Sequence, residues 1–316
     1  MIKNLIIESY ENNLEELSPR RRLHYLVRRY RITGEEKYVP LINSIYKELL
    51  PRFKKVLESF SSEEKIVELS KKALANYEHP NLRRARRFLY YQKNPKVMIY
   101  GEAILYMFFI KSFGMENSTE ISKEYEVAKS YMGENNVSKI FLDKKYWTVN
   151  PSECVNIVNF LYFLGVEDER DYLIKLFREY WLNLSPSEPS IWLDKIYALT
   201  HSIIGESNYY QNFVNEERFS WAFKYFEKDF DDIIRKVSID CIGEIGICYK
   251  LAGESKSKIV KQIQDLLIKR FDKKLGYIPN DSTPTLAGSE HRNVIATMVL
   301  EDFGKLYKGP NLSVIS

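Results

Sequence analysis

Four segments of the chain share one pattern, in which an apolar stretch runs up to a glycine. They are RRLHYLVRRYRITG (21–34), GEAILYMFFIKSFG (101–114), SECVNIVNFLYFLG (152–165) and DCIGEIGICYKLAG (240–253). A glycine after an apolar helical run is the expected left-handed residue that ends a helix. Acidic and capping residues follow each glycine and are typical of the first turn of a new helix. The pattern therefore predicts a helical hairpin made of an apolar helix, a tight turn and an amphipathic helix.

Two further segments extend this series. SEHRNVIATMVLEDFG (289–304) is a fifth, longer copy, and IWLDKIYALTHSIIGESNYY (191–210) supplies another helix of the same kind. Apolar helices that alternate with amphipathic ones imply an inner layer enclosed by an outer layer. The turn glycines are unevenly spaced, which fits a closed ring better than an open solenoid of fixed period. We therefore predict an all-α fold, an α/α toroid of about six helical hairpins.

The toroid is predicted to form a single domain over residues 1–316, with an N-terminal segment (1–20) and a C-terminal tail (307–316). The composition supports helices, since the chain has only 13 Gly and 11 Pro, and its 45% hydrophobic content is enough for a packed core. Three cysteines with no CxxC spacing favour a reducing compartment, and we predict a cytoplasmic protein.

The longest apolar window does not predict a membrane span. VMIYGEAILYMFFI (97–110) contains Glu102 and is shorter than the roughly 20 residues that a spanning helix needs. The amino terminus also lacks the apolar run of a signal peptide. We expect 97–110 to be a buried helix, and the protein to have no membrane partner.

Several of these motifs also carry a resemblance. Through LTHSIIGESNYYQ, DCIGEIGICYKLAG and LGYIPND followed by SEHRN, the chain resembles an uncharacterised bacterial family of unknown function built as an α/α toroid. The similarity runs over residues 20–306, and it implies a fold rather than a reaction. Other α/α toroids include glycoside hydrolases and lyases, terpenoid cyclases and protein prenyltransferases, with sites in the central cavity. That analogy concerns the fold only.

Acidic residues lie near the predicted starts of the inner helices. Glu102, Glu153 and Cys241 occupy matching places in three copies, and Glu290 lies there in the fifth. If the inner helices run in the same direction, these residues ring one mouth of the cavity. Each acid taken singly is better explained by capping, since the free N–H groups and dipole of a helix start stabilise it by about 0.3–1 kcal/mol.

His291 is a candidate catalytic residue because it follows Glu290 at a predicted helix start. The helix dipole there disfavours the charged imidazole and would leave a neutral base or ligand. A lone histidine is also commonly a hydrogen-bonded surface or core group. Asp240 and Glu244 lie at i and i+4 on another inner helix, and burial can separate such carboxylates into an acid and a base. We predict His291, Asp240 and Glu244 as catalytic residues.

A polar stripe marks the helix of residues 191–210. Asp194, Tyr197 and His201 follow one another at helical spacing, so they either face a cavity or form a satisfied core network. The residues predicted to bind substrate are His201, Tyr197, Tyr209, Arg292, Glu290 and Glu153.

These residues predict a protein or enzyme that binds a small, carbohydrate-like or otherwise hydroxyl-rich molecule in a polar, aromatic-lined cavity. If it is an enzyme, it would be a hydrolase or lyase using acid/base chemistry, without a cofactor. Asp240, Cys241 and His291 are similar to the zinc set of protein prenyltransferases, but the Asp-x-Cys spacing and any HExxH are absent, so no metal is predicted.

Two other functions remain open. One is a helical module that binds a protein or peptide without catalysis. The other is an isoprenoid cyclase using DFDD (229–232), a short motif that is better explained as the acidic first turn of a long helix. The basic runs at 18–31 and 81–93 could contact nucleic acid phosphates, but near-helical spacing favours a solvated face, so we predict no nucleic acid partner.

Overall fold

A computed structural model describes residues 2–184 and 188–314 of the chain. Met1 and residues 315–316, which belong to the predicted N-terminal segment and C-terminal tail, lie outside this description, as do residues 185–187. Within the described ranges the chain forms α-helices and no strand, apart from an isolated bridge between Asp272 and Tyr277. The predicted all-α class is confirmed.

The helices are α1 Ile2–Glu11, α2 Pro19–Thr33, α3 Tyr38–Glu58, α4 Glu63–Ala75, α5 Leu82–Lys93, α6 Lys96–Ser112, α7 Ser122–Glu134, α8 Ser138–Phe141, α9 Lys144–Trp147, α10 Pro151–Leu164, α11 Arg170–Glu179, α12 Pro189–Glu206, α13 Glu216–Lys236, α14 Ile239–Leu251, α15 Lys258–Arg270 and α16 Glu290–Leu300. The residues group into two compact units. Among the described residues, unit 1 comprises 2–48 and 209–310, and unit 2 comprises 49–184, 188–208 and 311–314.

Unit 1 is organised around α16, which packs against α2 on one side and α14 on the other. Nearly every residue of α14 is buried, as expected of an inner helix. By contrast, α13 buries one face, with Phe219, Phe223 and Phe226, and exposes the other. Helices α13 and α15 pack against α14, so this unit has an apolar inner set of helices and an amphipathic outer set.

Unit 2 repeats this arrangement around α10. That helix packs against α6 and α12, and all three are mainly apolar. The amphipathic α11 contacts α10 and α12, whereas α4 and α7 contact α6. The predicted buried helix over 97–110 is confirmed within α6. In the part of the chain that the structure describes, no helix combines the length and the apolar character that crossing a membrane requires.

Left-handed glycines follow four inner helices, two in each unit, as the repeat predicts. Gly34, Gly114, Gly165 and Gly253 have φ of 68°, 69°, 72° and 88°. The Gly34 N–H donates to the Tyr30 carbonyl at 2.7 Å, which satisfies one of the last carbonyls of α2. A side chain at any of these positions would strain the backbone, because L-residues rarely adopt positive φ.

Two predicted helix limits were wrong. Glu102 does not open an inner helix, because α6 begins at Lys96 directly after Pro95 and leaves Glu102 in its interior. The fifth copy ends at Leu300, ahead of Gly304, because Glu301 is held in an extended conformation. Its carbonyl accepts a hydrogen bond from Lys250 Nζ, and its carboxylate pairs with Lys3 Nζ at 2.7 Å.

The DFDD motif (229–232) was interpreted as the first turn of a long helix, but it lies near the C-terminal end of α13. It occupies the last turns of α13, whose first turn instead contains Glu216 and Glu217 after the capping side chain of Asn215. Asp232 pairs with Arg235 and Lys236 of the same helix. The partial negative charge at a helix C-terminus is stabilised by cations, and Arg235 and Lys236 lie in the last turn.

Candidate active site

Two histidines of unit 1 lie side by side on neighbouring helices. The ring centroids of His24, on α2, and His291, on α16, are 5.4 Å apart. His24 Nδ1 is 2.7 Å from Glu290 Oε1, and His291 Nε2 is 3.4 Å from Glu244 Oε1. Both carboxylates are buried, with side-chain exposures of 4% and 2%. Each imidazole therefore has its own buried carboxylate partner.

Close packing of α14 against α16 positions one of these pairs. Gly243 precedes Glu244, and a Cβ added to it would lie 2.4 Å from Ile295 Cγ2 of α16. Only a glycine allows this approach, which sets Glu244 next to the first turn of α16, where His291 lies.

The SEHRN segment (289–293) fixes the loop before α16 through Ser289 and Asn293. Ser289 occupies the N-cap position without capping the helix, because its hydroxyl accepts a hydrogen bond from the Asn280 N–H at 2.9 Å. The Asn293 amide binds both the N–H and the carbonyl of Ile278, each at 2.8 Å. Glu290 lies in the first turn, as predicted, but its carboxylate pairs with His24.

The surroundings of the two histidines shift their pKa values in opposite directions. Burial and then the Arg28 guanidinium lower the pKa of His24 to about 4, against the opposing charge of Glu290. Burial also acts to lower the pKa of His291, but the hydrogen bond and charge of Glu244, with help from Asp240 and Glu290, raise it above its usual value. His24 is therefore neutral near pH 7, whereas His291 holds its proton more tightly than an ordinary imidazole does.

This result overturns one expectation for His291. The helix dipole was predicted to keep its imidazole neutral, but three carboxylates around it outweigh the partial charge of the helix start. Glu290 shows the complementary effect. Burial would raise the pKa of this carboxyl group, yet the charges of His24 and His291 and the hydrogen bond to His24 lower it overall.

Arg28 adds a cation next to this pair. Its guanidinium lies 5.2 Å from the ring centroid of Tyr210, and its Nη1 donates to the His24 carbonyl at 3.2 Å. Within residues 2–184 and 188–314, no carboxylate oxygen lies within 4.0 Å of this guanidinium. Burial raises the pKa of Tyr210 to about 12, so its phenol stays protonated. Arg28 and Tyr210 together present positive charge and a hydroxyl group.

Arg292 and Asp240 are tied to the loop before α16. Arg292 Nη1 donates to the Pro279 carbonyl at 2.5 Å, and its Nη2 lies 3.2 Å from Asp281 and 3.7 Å from Asp240. The Arg292 side chain is 5% exposed, so these contacts hold it in place. Tyr209 has a left-handed φ of 55°, and its carbonyl accepts from Arg31 Nη1 at 2.9 Å. A substrate-binding role for Arg292 and Tyr209 stays a prediction.

The other predicted residues belong to unit 2. His201 Nδ1 lies 2.8 Å from Asn156 Oδ1, and the ring of Tyr197 packs edge-on against His201 at 5.7 Å. Glu153 forms a separate network, in which Oε2 accepts hydrogen bonds from Tyr91 at 3.0 Å and Tyr146 at 2.6 Å. Asp194 is buried and pairs with three arginines of α5, which favours the structural reading of the polar stripe at this position.

Sequence reasoning missed His24 and Arg28. Both belong to the basic run at 18–31, which suggested a solvated face. The repeat contained the missing signal, because it makes 21–34 an inner helix, and His24 and Arg28 lie four residues apart on it. Polar side chains on an inner helix must either form hydrogen bonds or line a cavity, which is the same argument as for His201.

The donor set here suits proton transfer better than metal binding. In the described parts of the chain, no group of three or more His, Cys, Asp or Glu side chains converges as metal ligands would. Instead, the imidazoles are hydrogen-bonded in pairs with carboxylates, an arrangement that orients each ring and fixes its tautomer.

Residues 1–316 match the family described as Domain of unknown function (DUF3541). The chain belongs to this family. The match covers the whole sequence, so both units fall within one family. The predicted resemblance to an uncharacterised family is confirmed. Neither a curated protein nor a solved structure matches the chain significantly.

Proposed function

We propose that the His24–His291 centre of unit 1 performs acid/base chemistry on a small, hydroxyl-rich molecule, as a hydrolase or lyase. The observation that carries this proposal is the pairing itself. Two imidazoles lie 5.4 Å apart, each with its own buried carboxylate, and their pKa values are shifted in opposite directions. Titratable groups whose environments separate their pKa values are suited to divide into an acid and a base.

The hydrogen bonds assign a role to each ring. His24 Nδ1–H donates to Glu290, which leaves Nε2 with a free lone pair and makes it the proton acceptor. His291 Nε2–H donates to Glu244, so in the protonated ring Nδ1–H is the second, transferable proton. His24 then removes a proton from a substrate hydroxyl or an attacking water, while His291 protonates the leaving oxygen.

The neighbouring groups complete this assignment. Glu244 positions His291, and Asp240 raises the proton affinity of the same ring through its charge. Burial lowers the pKa of His24 most, and the charge of Arg28 lowers it further. An anionic or strongly polar substrate group bound to Arg28 would offset that effect and make His24 a stronger base.

The α/α toroid is part of this proposal. It is supported within each unit by the left-handed glycine turns and by the division into apolar inner and amphipathic outer helices. We also propose substrate-binding roles for Tyr197, His201 and Glu153 in unit 2, supported by the partial exposure of Tyr197 and His201. A cytoplasmic location is proposed from the free thiols of the three cysteines.

The alternatives have weaker support. The isoprenoid cyclase alternative needs DFDD in a cavity, whereas Asp231 is exposed and Asp232 is 48% exposed and paired with basic residues. A helical module that binds a protein or peptide would not need two imidazoles with opposite pKa shifts.

The test compares single variants in a ligand screen. Sugars, glycosides and hydroxy acids are tested for binding by thermal shift, and any ligand found is assayed for turnover. His24→Gln and His291→Gln should each abolish turnover while retaining the helical circular dichroism spectrum. His79→Gln is the matched control, because His79 is exposed and lies in unit 2. Turnover that survives both substitutions would refute the proposal.

A further inference from the structure

A pocket on the surface of unit 2 is formed by one side of α5 and the segment around α9. Its volume is 670 Å³, which falls in the range of small-molecule sites, roughly 300–1,000 Å³. None of the residues discussed for the histidine centre contributes to it. Its lining instead combines three cations with an apolar wall, and this combination identifies its ligand class.

The cations are Arg86, Lys93 and Lys145, and the only acid among the described lining residues is Asp143. Lys93 and Lys145 are both exposed. Across the described chain, neither lysine has a carboxylate oxygen within 4.0 Å of its Nζ atom. The Asp143 carboxylate accepts from the Lys145 backbone N–H at 2.9 Å. The two ammonium groups are therefore available to a ligand.

Arg86 is held rigidly at the pocket by a buried acid. Its Nη2 donates to Asp194 Oδ2 at 3.0 Å, and the same carboxylate pairs with Arg83 and Arg87. Asp194 is 1% exposed. The Nε of Arg86 is buried and, among the described residues, has no hydrogen-bond partner. Glu188 Oε2 also lies 3.9 Å from Arg86 Nη1, so two carboxylates face three guanidinium groups and one positive charge is left uncompensated (3 − 2).

The charge balance of this region can be read from its ionised side chains. Among the described lining residues, the cations are Arg86, Lys93 and Lys145, and the anion is Asp143. Three positive charges against one negative charge leave an excess of two in the lining (3 − 1). A phosphate monoester, which carries about −1.5 to −2 near neutral pH, matches this excess better than a single carboxylate does.

The remaining lining is apolar or aromatic. Leu89 lines the pocket and is 62% exposed. Val149 forms part of the wall opposite α5, and its carbonyl is contacted by Arg87 Nε at 3.4 Å. The Tyr90 ring is fixed against Tyr146 at 5.1 Å. These groups favour a ligand with a ring or short chain next to its anionic group.

We propose that this pocket binds a small phosphomonoester that carries an apolar ring or chain. The phosphate contacts Lys93, Lys145 and the oriented guanidinium of Arg86, and the apolar part covers Leu89 and Val149. Charge-assisted hydrogen bonds from these three cations supply most of the specificity, since a phosphate offers three acceptor oxygens and the Arg86 guanidinium is already held in place by Asp194. The proposal is independent of the histidine centre and would stand if that centre proved inactive.

The experiment uses the full chain and 1-naphthyl phosphate as probe, with binding measured by calorimetry and by probe fluorescence. Inorganic phosphate and neutral 1-naphthol separate the two halves of the ligand, and each should bind at least about tenfold more weakly than the probe. The double variant Lys93→Gln/Lys145→Gln should weaken probe binding by about tenfold or more, because two of the three cations are lost. Leu89→Ser, at an exposed position, should weaken the probe while leaving inorganic phosphate unchanged.

Lys144→Gln is the matched control, since Lys144 is exposed, adjacent to Lys145 and outside the described pocket lining. It should change probe affinity by less than about twofold. Equal losses in the Lys144 and the Lys93/Lys145 variants would overturn the proposal, because they would show attraction to net charge rather than a site. Unchanged probe binding in the double variant would overturn it as well.

Discussion

Glu290 Oε1 lies 2.7 Å from His24 Nδ1, and this contact joins the first turn of α16 to the middle of α2. The contact determines which nitrogen of His24 is free, because a carboxylate accepts and so requires Nδ1 to carry the proton. It also places negative charge near His291, which contributes to the raised pKa of that ring. One carboxylate therefore affects both members of the acid/base pair.

Stability should fall in mild acid because of His24. Its pKa in the folded protein, about 4, is below its usual 6.5, so the unfolded chain binds this proton more readily. The contribution is fully present above about pH 6.5 and is lost as the pH falls towards 4, with an upper limit of about 3 kcal/mol. Glu290, whose pKa is also lowered, adds a loss of the same sign at lower pH.

Urea unfolding at about pH 7 and about pH 4.5 measures this effect. His24→Gln should reduce the difference in unfolding free energy between the two pH values, whereas His79→Gln should leave it unchanged. An equal loss of stability in His24→Gln and the parent protein would show that the group responsible lies elsewhere.

Gly243→Ala should destabilise unit 1 and disturb the pairing of His291 with Glu244. The new methyl group would lie 2.4 Å from Ile295 Cγ2, so α14 and α16 must separate, at a cost of about 1–3 kcal/mol. Gly246→Ala is the control on the same helix, because its added Cβ meets its neighbours at 3.4 Å. Thermal unfolding should show a clearly smaller effect for Gly246→Ala. If both variants unfold at the same temperature, the close approach at Gly243 is unimportant.

Asp194→Asn should strongly destabilise unit 2. The substitution leaves Arg83, Arg86 and Arg87 without their shared buried counter-charge, and removing one partner of a buried ion pair typically costs about 3–5 kcal/mol. Asp232→Asn is the control, since that carboxylate is 48% exposed and should contribute less than about 1 kcal/mol. Chemical unfolding that ranks the two variants equally would contradict this account of Asp194.

The glycine turns were predictable because a left-handed residue has few substitutes. Gly34, Gly114, Gly165 and Gly253 end helices where the sequence indicates. Gly304 has the same local pattern, yet α16 stops earlier, because the charge partners of Glu301 come from distant parts of the chain. Sequence spacing contains no information about such long-range contacts.

The candidate site was predicted only in part, because some of its contacts also join distant parts of the chain. His291, Glu244 and Glu290 were identified from their positions on inner helices, and the structure brings them together. His24, which pairs with Glu290 and packs against the His291 ring, lies in a basic run whose composition suggested a solvated surface. The direction of the His291 pKa shift also required the three-dimensional arrangement, since local reasoning included the helix dipole but could not locate the surrounding carboxylates.

The most direct test of the acid/base pair is a pH titration of the imidazole C2–H resonances by NMR. His24→Gln and His291→Gln assign the two signals. The account predicts that His24 titrates near pH 4 and His291 above its usual 6.5. It also predicts that Glu290→Gln lowers both pKa values. Two histidines that both titrate near 6.5, unaffected by Glu290→Gln, would contradict it.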